Sequence, residues 1–88
     1  MKYIVNALDL ESEREVETVV SVRSDAGLKK LVERSVLALM PVLGLQRCRY
    51  TVDMPNVWRN GAVGTLTIDN RYSVGIRGEW NETYMFLP

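Results

Sequence analysis

The sequence predicts an α+β fold in which one helix packs on one face of a mixed or mostly antiparallel sheet, in the order β-β-α-β-β-β. Alternating apolar and polar residues mark extended segments on both sides of a single segment with helical spacing. The 88 residues, 47% of them hydrophobic and 25% charged, suit one small globular domain spanning residues 1–88. A single helix can cover only one face of such a sheet, so the other face is predicted to meet water or a partner.

The first two strands are predicted over residues 3–8 and 15–23. Residues 3–8 are apolar on both faces, whereas β-branched residues alternate with polar ones in 15–23. The inward side chains of the second strand are predicted to be Val16, Thr18, Val20 and Val22. Val19 interrupts the polar outward face. Residues 9–14 would join the strands as a solvated turn, although they lack the Asn-Gly signal of a tight hairpin.

The helix is predicted to follow Ser24 and Asp25, which offer a side-chain N-cap. Apolar residues then recur at helical spacing: Leu28, Leu31, Val32, Val36 and Leu39. Pro41 is expected to end or kink the helix, because the residue before a proline is pushed out of the α region. The polar face is lost over residues 36–43, which indicates burial on more than one side.

The last third of the chain predicts a β meander. Its strands are expected at 46–53, 62–69 and 71–77, with a short final strand at 83–87. Alternation in the first of these strands puts Cys48 and Tyr50 on the core side. The strand at 15–23, the helix and the strand at 46–53 form a β-α-β crossover. Such a crossover predicts that its two strands are parallel and could be adjacent.

The hairpin between the strands at 62–69 and 71–77 has a predictable register. Leu66 can face Val74, and Ile68 can face Tyr72, only across a loop with an odd number of residues. A two-residue turn would set apolar residues of one strand against polar residues of the other. The simplest odd loop consists of Asp69, Asn70 and Arg71. Asn70 is the loop residue most tolerant of a positive φ.

Opposite charges are segregated along a chain whose net charge is zero. Residues 9–17 hold five of the eleven acids: Asp9, Glu11, Glu13, Glu15 and Glu17. Every base in residues 47–77 is an arginine: Arg47, Arg49, Arg59, Arg71 and Arg77. If the crossover strands were adjacent, Glu15 and Glu17 would lie near Arg47 and Arg49. Part of the segregation would then be cancelled within the chain.

Residue types that support catalysis or metal binding are scarce. The chain has no histidine, which removes the commonest general base at neutral pH. Cys48 is the single cysteine and is expected to be a buried structural thiol. No phosphate-binding glycine loop and no set of soft-metal ligands is present. We therefore expect no enzymatic activity, no catalytic residue, no cofactor and no metal.

Cytoplasmic placement without membrane association is the expected localisation. No secretory signal is visible after Lys2, and the longest apolar run, residues 36–45, is too short for a membrane span.

The leading functional interpretation is a non-catalytic interaction domain that binds another protein and forms a homodimer. An adaptor or an inhibitor, such as the anti-defence inhibitors of phages, matches this chain by size alone. Trp and Arg are enriched at interface hot spots, and the acidic stretch offers a complement to a basic surface. The predicted partner-binding residues are Trp58, Arg59, Asp9, Glu11 and Glu13.

The alternative is a module that binds single-stranded RNA or DNA with an arginine-rich sheet face. Arginines interleaved with aromatics are typical of such modules. The residues concerned are Arg47, Arg49, Arg71, Arg77 and Trp80. A pI near 6.2 argues against this alternative, since nucleic-acid binding relies on positive charge. Alternation also turns Tyr50 and Tyr72 towards the core, away from the arginines.

Overall fold

The computed structural model describes residues 1–53, 64–78 and 84–86, and it confirms the predicted α+β fold and element order. The elements are β1 (Lys2–Asp9), β2 (Glu15–Ser21), α1 (Leu28–Leu43), β3 (Tyr50–Asp53), β4 (Thr65–Ile68), β5 (Tyr72–Gly78) and β6 (Tyr84–Phe86). The strands form one sheet in the order β2-β1-β5-β4-β3, and β6 also pairs with β5. Every pairing between these strands is antiparallel.

The core lies between α1 and one face of the sheet. The alternation predicted for the first two strands is confirmed, because Val20 and Val22 are buried whereas Val19 is 56% exposed. Strand β1 contributes Tyr3, Val5 and Ala7 to the same face. The remaining buried apolar residues are Leu31, Val32, Val36, Leu39, Leu66, Ile68, Tyr72, Val74, Ile76 and Phe86.

The β4–β5 hairpin has the predicted odd loop. Leu66 pairs with Val74 and Ile68 pairs with Tyr72. Asn70 has the expected positive φ of 52°, and Asp69 shares that value. Two adjacent left-handed residues give the chain its reversal, and Asp tolerates this conformation nearly as well as Asn.

The predicted start of the helix is wrong. Its N-cap is Gly27, with extended backbone and no side-chain cap, whereas Asp25 forms an ion pair with Arg23 at 3.2 Å. Asp25 lies two residues before that N-cap and does not cap the first turn.

The helix does not end at Pro41, so that one of the two effects predicted for the proline is wrong. The helix continues through Pro41 to Leu43 and ends at Gly44, whose φ of 72° is left-handed. Leu45 N–H donates to the Met40 carbonyl at 2.8 Å, which closes a Schellman motif. Pro41 removes one bond to the Leu37 carbonyl, and Leu37 lies on the exposed side of the helix, where water can replace that donor.

The expectation that the crossover strands could be adjacent is wrong. Strands β2 and β3 run in the same direction but lie at opposite edges, with β1, β5 and β4 between them. Glu15 and Glu17 are therefore separated from Arg47 and Arg49 by the width of the sheet. Strand β3 is also shorter than predicted, because it begins at Tyr50 rather than at residue 46.

Among the described residues, α1 is the longest helix at 16 residues, and no helix there is long and apolar enough to cross a bilayer.

Candidate functional site

The antiparallel register brings two turns and the last residues of α1 to one end of the molecule. Asp9 pairs with Tyr72, so the β1–β2 turn adjoins the β4–β5 turn. The Leu10 N–H donates to the Arg71 carbonyl at 2.9 Å, which ties the two turns together. We call this surface the turn end. It comprises residues 9–14, 42–43 and 69–71.

A two-bond ion pair between Asp9 and Arg71 lies at the centre of the turn end. Arg71 Nη2 donates to Asp9 Oδ2 at 2.9 Å, and Arg71 Nε donates to Asp9 Oδ1 at 3.1 Å. Glu11 Oε2 lies 3.4 Å from Arg71 Nη1. One arginine therefore offsets one negative charge of the acidic stretch, chiefly that of Asp9, which accounts for part of the segregation seen in the sequence.

The Asp9 carboxylate also shapes the β1–β2 turn. Its Oδ1 accepts the N–H of Glu11 at 2.9 Å and that of Ser12 at 3.4 Å. The Asp9 carbonyl accepts the N–H of Glu13 at 2.8 Å, and Glu13 has a φ of 62°. Residues 10–14 are exposed, as expected of a solvated turn, and internal hydrogen bonds fix its conformation. Asp9 itself lies in β1 and is only 9% exposed.

These contacts lower the pKa of Asp9 well below its usual range. The Arg71 hydrogen bonds are the largest cause, and the N–H groups of Glu11 and Ser12 add to them against the opposing effect of burial. The same pairing raises the pKa of Arg71 further. The Arg71 guanidinium also lies 5.3 Å from the centroid of the Tyr72 ring, within cation–π range.

A cleft of about 550 Å³ opens beside this ion pair. Its lining combines apolar side chains with charged ones: Ala7, Asp9, Ser12, Arg14, Val16, Val42, Leu43, Arg71 and Tyr72. Large apolar side chains reach the surface on two elements of the turn end, because Leu10 is 56% exposed and Val42 is 46% exposed. The surface is therefore concave, and apolar and charged side chains both line it.

The predicted partner-binding residues are not equivalent at this surface. Glu11 and Glu13 are exposed on the turn, whereas Asp9 is engaged by Arg71 beneath it. Trp58 and Arg59 lie outside the described residues. The structure therefore brings three of the five residues together in one turn.

The arginines of the nucleic-acid alternative are dispersed. Arg71 is paired with acids, and Arg49 is held by its backbone to Asp69, with N–H to Oδ1 at 2.8 Å. Arg77 lies six positions along β5 from Arg71, a separation of roughly 20 Å in extended chain. Arg47 is exposed. Trp80 lies outside the described residues, so no contiguous basic face is found in residues 1–53, 64–78 and 84–86.

Tyr50 departs from its predicted burial. It shares the core face of the sheet through its pairing with Ile68 but remains 41% exposed, because β3 is the edge strand. A groove of about 320 Å³ separates it from α1. Its lining residues are Leu28, Lys29, Val32, Tyr50 and Val52.

Cys48 is half-buried against the core rather than fully buried. Burial raises the pKa of its thiol, and the Asp69 carboxylate raises it further. In the described part of the chain, no group of three or more acidic, cysteine or histidine side chains is placed to hold a metal ion.

Sequence reasoning missed the Asp9–Arg71 pair, although a signal for it was present. The inward alternation Tyr3, Val5, Ala7 continues to Asp9, which places a carboxylate on the core face. A buried acid requires a cationic or hydrogen-bonding partner. That requirement could have been stated before the partner was known.

No protein-family model matches the chain, and no curated protein or solved structure is significantly similar to it.

Proposed function

We propose that the chain is a non-catalytic interaction domain that binds another protein through the turn end and that also forms a homodimer. The observation that carries this proposal is the exposed Leu10, presented on a turn fixed by the Asp9–Arg71 pair beside a cleft that both apolar and charged side chains line. Binding sites are usually concave and combine apolar side chains with a few fixed polar groups.

The rigidity of the turn favours binding. Ordering a loop at an interface costs free energy, and a turn that is already hydrogen-bonded avoids much of that cost. Leu10 would enter a pocket on the partner, while Val42 and Tyr72 line the cleft that receives a side chain in return.

The rim charges favour a basic partner surface. Glu11 and Glu13 are exposed, and the turn contributes Arg14 as its one base. Charges at a rim act mainly on the rate of association and on the choice of partner. We expect a partner whose contact surface has an apolar centre and lysine or arginine around it.

Two observations support a role without catalysis. The chain has no histidine, and the raised pKa of Cys48 disfavours the thiolate that a nucleophilic cysteine needs. Nucleic-acid binding receives no support from the described arginines, since Arg71 is paired with acids and Arg77 lies far from it.

Affinity capture from the native host, followed by mass spectrometry, tests the turn end. We expect Leu10→Ser to lose a protein that the wild type retains. Leu37→Ser is the matched control, because it removes the same side chain from a comparably exposed site on α1. Trp58→Ala, run in parallel, tests the other predicted contact. Equal recovery of every captured protein with wild type, Leu10→Ser and Leu37→Ser would contradict binding through the turn end.

A further inference from the structure

In the described part of the chain, strand β2 pairs with β1 along one edge, and its other edge has no partner strand. The Val22 N–H donates to the Met1 carbonyl at 2.9 Å, and the Asp9 N–H donates to the Arg14 carbonyl at 2.8 Å. The register between the strands has no shift, so the even-numbered residues of β2 exchange hydrogen bonds with β1. The outward backbone groups belong to Glu15, Glu17, Val19 and Ser21.

The side chains of the same four residues lie on the sheet face opposite α1. All four are exposed, and Val19 is the one large apolar residue in the row, with 56% of its surface accessible. An exposed apolar residue on a seven-residue edge strand is a template for pairing with another strand. The charges and the apolar residue among these four side chains then determine which strand can pair with this edge.

A second copy of β2 fits best in the register centred on Val19. If Val19 faces the partner's Val19 across a two-fold axis, Glu17 faces the partner's Ser21, and Glu15 faces the partner's Arg23. This arrangement joins two apolar side chains and forms an ion pair at each end. Moving the axis to Glu17 would set that carboxylate against the partner's Glu17, which is unfavourable. Moving it to Val20 would keep an ion pair, between Glu17 and the partner's Arg23, but would lose the contact between the two valines. Charge and the valine contact together favour the register centred on Val19.

Both residues of the intermolecular ion pair are available. Arg23 pairs with Asp25 at 3.2 Å, but both side chains are highly exposed, so that pair is weak. Glu15 accepts one hydrogen bond, at 2.9 Å from Asn6 Nδ2 to Oε1, which leaves its other oxygen for an arginine.

The helix side of the same edge is charged. Lys30 and Arg34 line a cleft with Val22 and Arg23, so this flank of α1 borders the β2 edge. A two-fold axis perpendicular to the sheet would keep both helices on one face of the joined sheet.

We propose that a second copy of this chain pairs with the free edge of β2, in antiparallel register centred on Val19, to form a continuous two-fold sheet. This inference rests on the homodimer part of the proposed function and names its surface. It does not involve the Leu10 surface, so the two can fail separately.

Sedimentation equilibrium of the whole chain tests the proposal. The wild type is expected at twice the chain mass of 10.0 kDa. Val19→Lys should weaken the dimer by about tenfold or more, because each dimer gains two facing ammonium groups on a strand edge. Thr51→Lys is the control, since it adds the same charge to an exposed residue on the same face of the opposite edge strand.

A charge exchange tests the register. Glu15→Arg and Arg23→Glu should each weaken the dimer, and the double variant should recover it, because the pair is restored only between copies. A monomeric wild type overturns the homodimer. A dimer weakened by Thr51→Lys but not by Val19→Lys places the interface elsewhere and overturns the β2 pairing. If the dimer of the double variant is weakened by as much as the two single substitutions together, the proposed register is wrong.

Discussion

Asp9 shows how one residue joins a core position to the conformation of the turn end. Its place in the inward alternation of β1 sets the carboxylate under the turn, where Arg71 reaches it from a residue 62 positions away. The N–H groups of Glu11 and Ser12 use the same oxygen. The burial of Asp9 and its pairing with Arg71 thus fix the turn that presents Leu10. Because the pairing requires an ionised carboxylate, the free energy of unfolding should depend on pH.

The first prediction is a pH-dependent effect of Asp9→Asn. The native pKa of Asp9 lies below its unfolded value, so the unfolded chain binds the proton more readily at this site. The stabilisation is therefore complete above about pH 4, the usual pKa of an aspartate, and is lost as the pH falls towards the lower native pKa. Urea midpoints at a series of pH values should show a destabilised variant at neutral pH whose deficit shrinks in acid.

Asp25→Asn is the control for that experiment, because Asp25 belongs to an exposed ion pair that contributes little. Equal midpoints for the two variants at neutral pH, or a deficit of Asp9→Asn that stays constant in acid, would show that the Asp9–Arg71 pair does not hold the turn.

At the scale of elements, local sequence patterns predicted which side chains of the strands face each other, but they predicted the ends of the helix poorly. The β4–β5 loop followed from side-chain parity alone, because a register error would expose Leu66 and Val74. The ends of α1 did not follow from local rules. The helix begins after Gly27 rather than at Ser24 or Asp25, and it continues past Pro41 to the left-handed Gly44. Several residues near each end could have served as its boundary, and a single-residue preference does not choose among them.

Gly44→Ala provides the test at the helix end. No atom lies within 4 Å of the added Cβ, so the cost comes only from holding a non-glycine residue at a φ of 72°. We expect a loss of about 1 kcal/mol in the free energy of unfolding. Gly27→Ala also meets no atom within 4 Å but lies at a φ of −77°, so its cost is limited to the poorer N-cap preference of alanine and should be smaller. Chemical denaturation of both variants gives the comparison, and an equal loss in both would contradict the Schellman end.

At the scale of the whole molecule, the topology resolves part of the charge segregation. Arg71 joins the acidic stretch through Asp9 and Glu11, whereas Glu15 and Glu17 lie at the sheet edge opposite Arg47 and Arg49. The sequence could not predict this arrangement, because strand order depends on contacts between distant segments. The sequence predicted the acidic turn as a binding surface from its residue types. The Asp9–Arg71 pair that anchors the turn could not be predicted without knowing that β1 and β5 are neighbours in the sheet.

The two proposed surfaces occupy different parts of the fold. The turn end lies where β1, β5 and α1 meet, whereas the second copy is proposed to pair with the β2 edge. A two-fold sheet would repeat the Leu10 turn on both copies, so that one assembly presents two such surfaces. Bivalent binding of this kind raises avidity without any new contact, provided that the partner's sites match the spacing.

The most direct measurement is amide hydrogen exchange of the wild type at low and high protein concentration. The N–H groups of Thr18 and Val20 bond to β1 and should be protected at both concentrations. The outward N–H groups of Glu17, Val19 and Ser21 should gain protection only as concentration rises, since the partner strand supplies their acceptors. Rapid exchange of these three amides at every concentration, with Thr18 and Val20 still protected, would contradict the strand-paired homodimer.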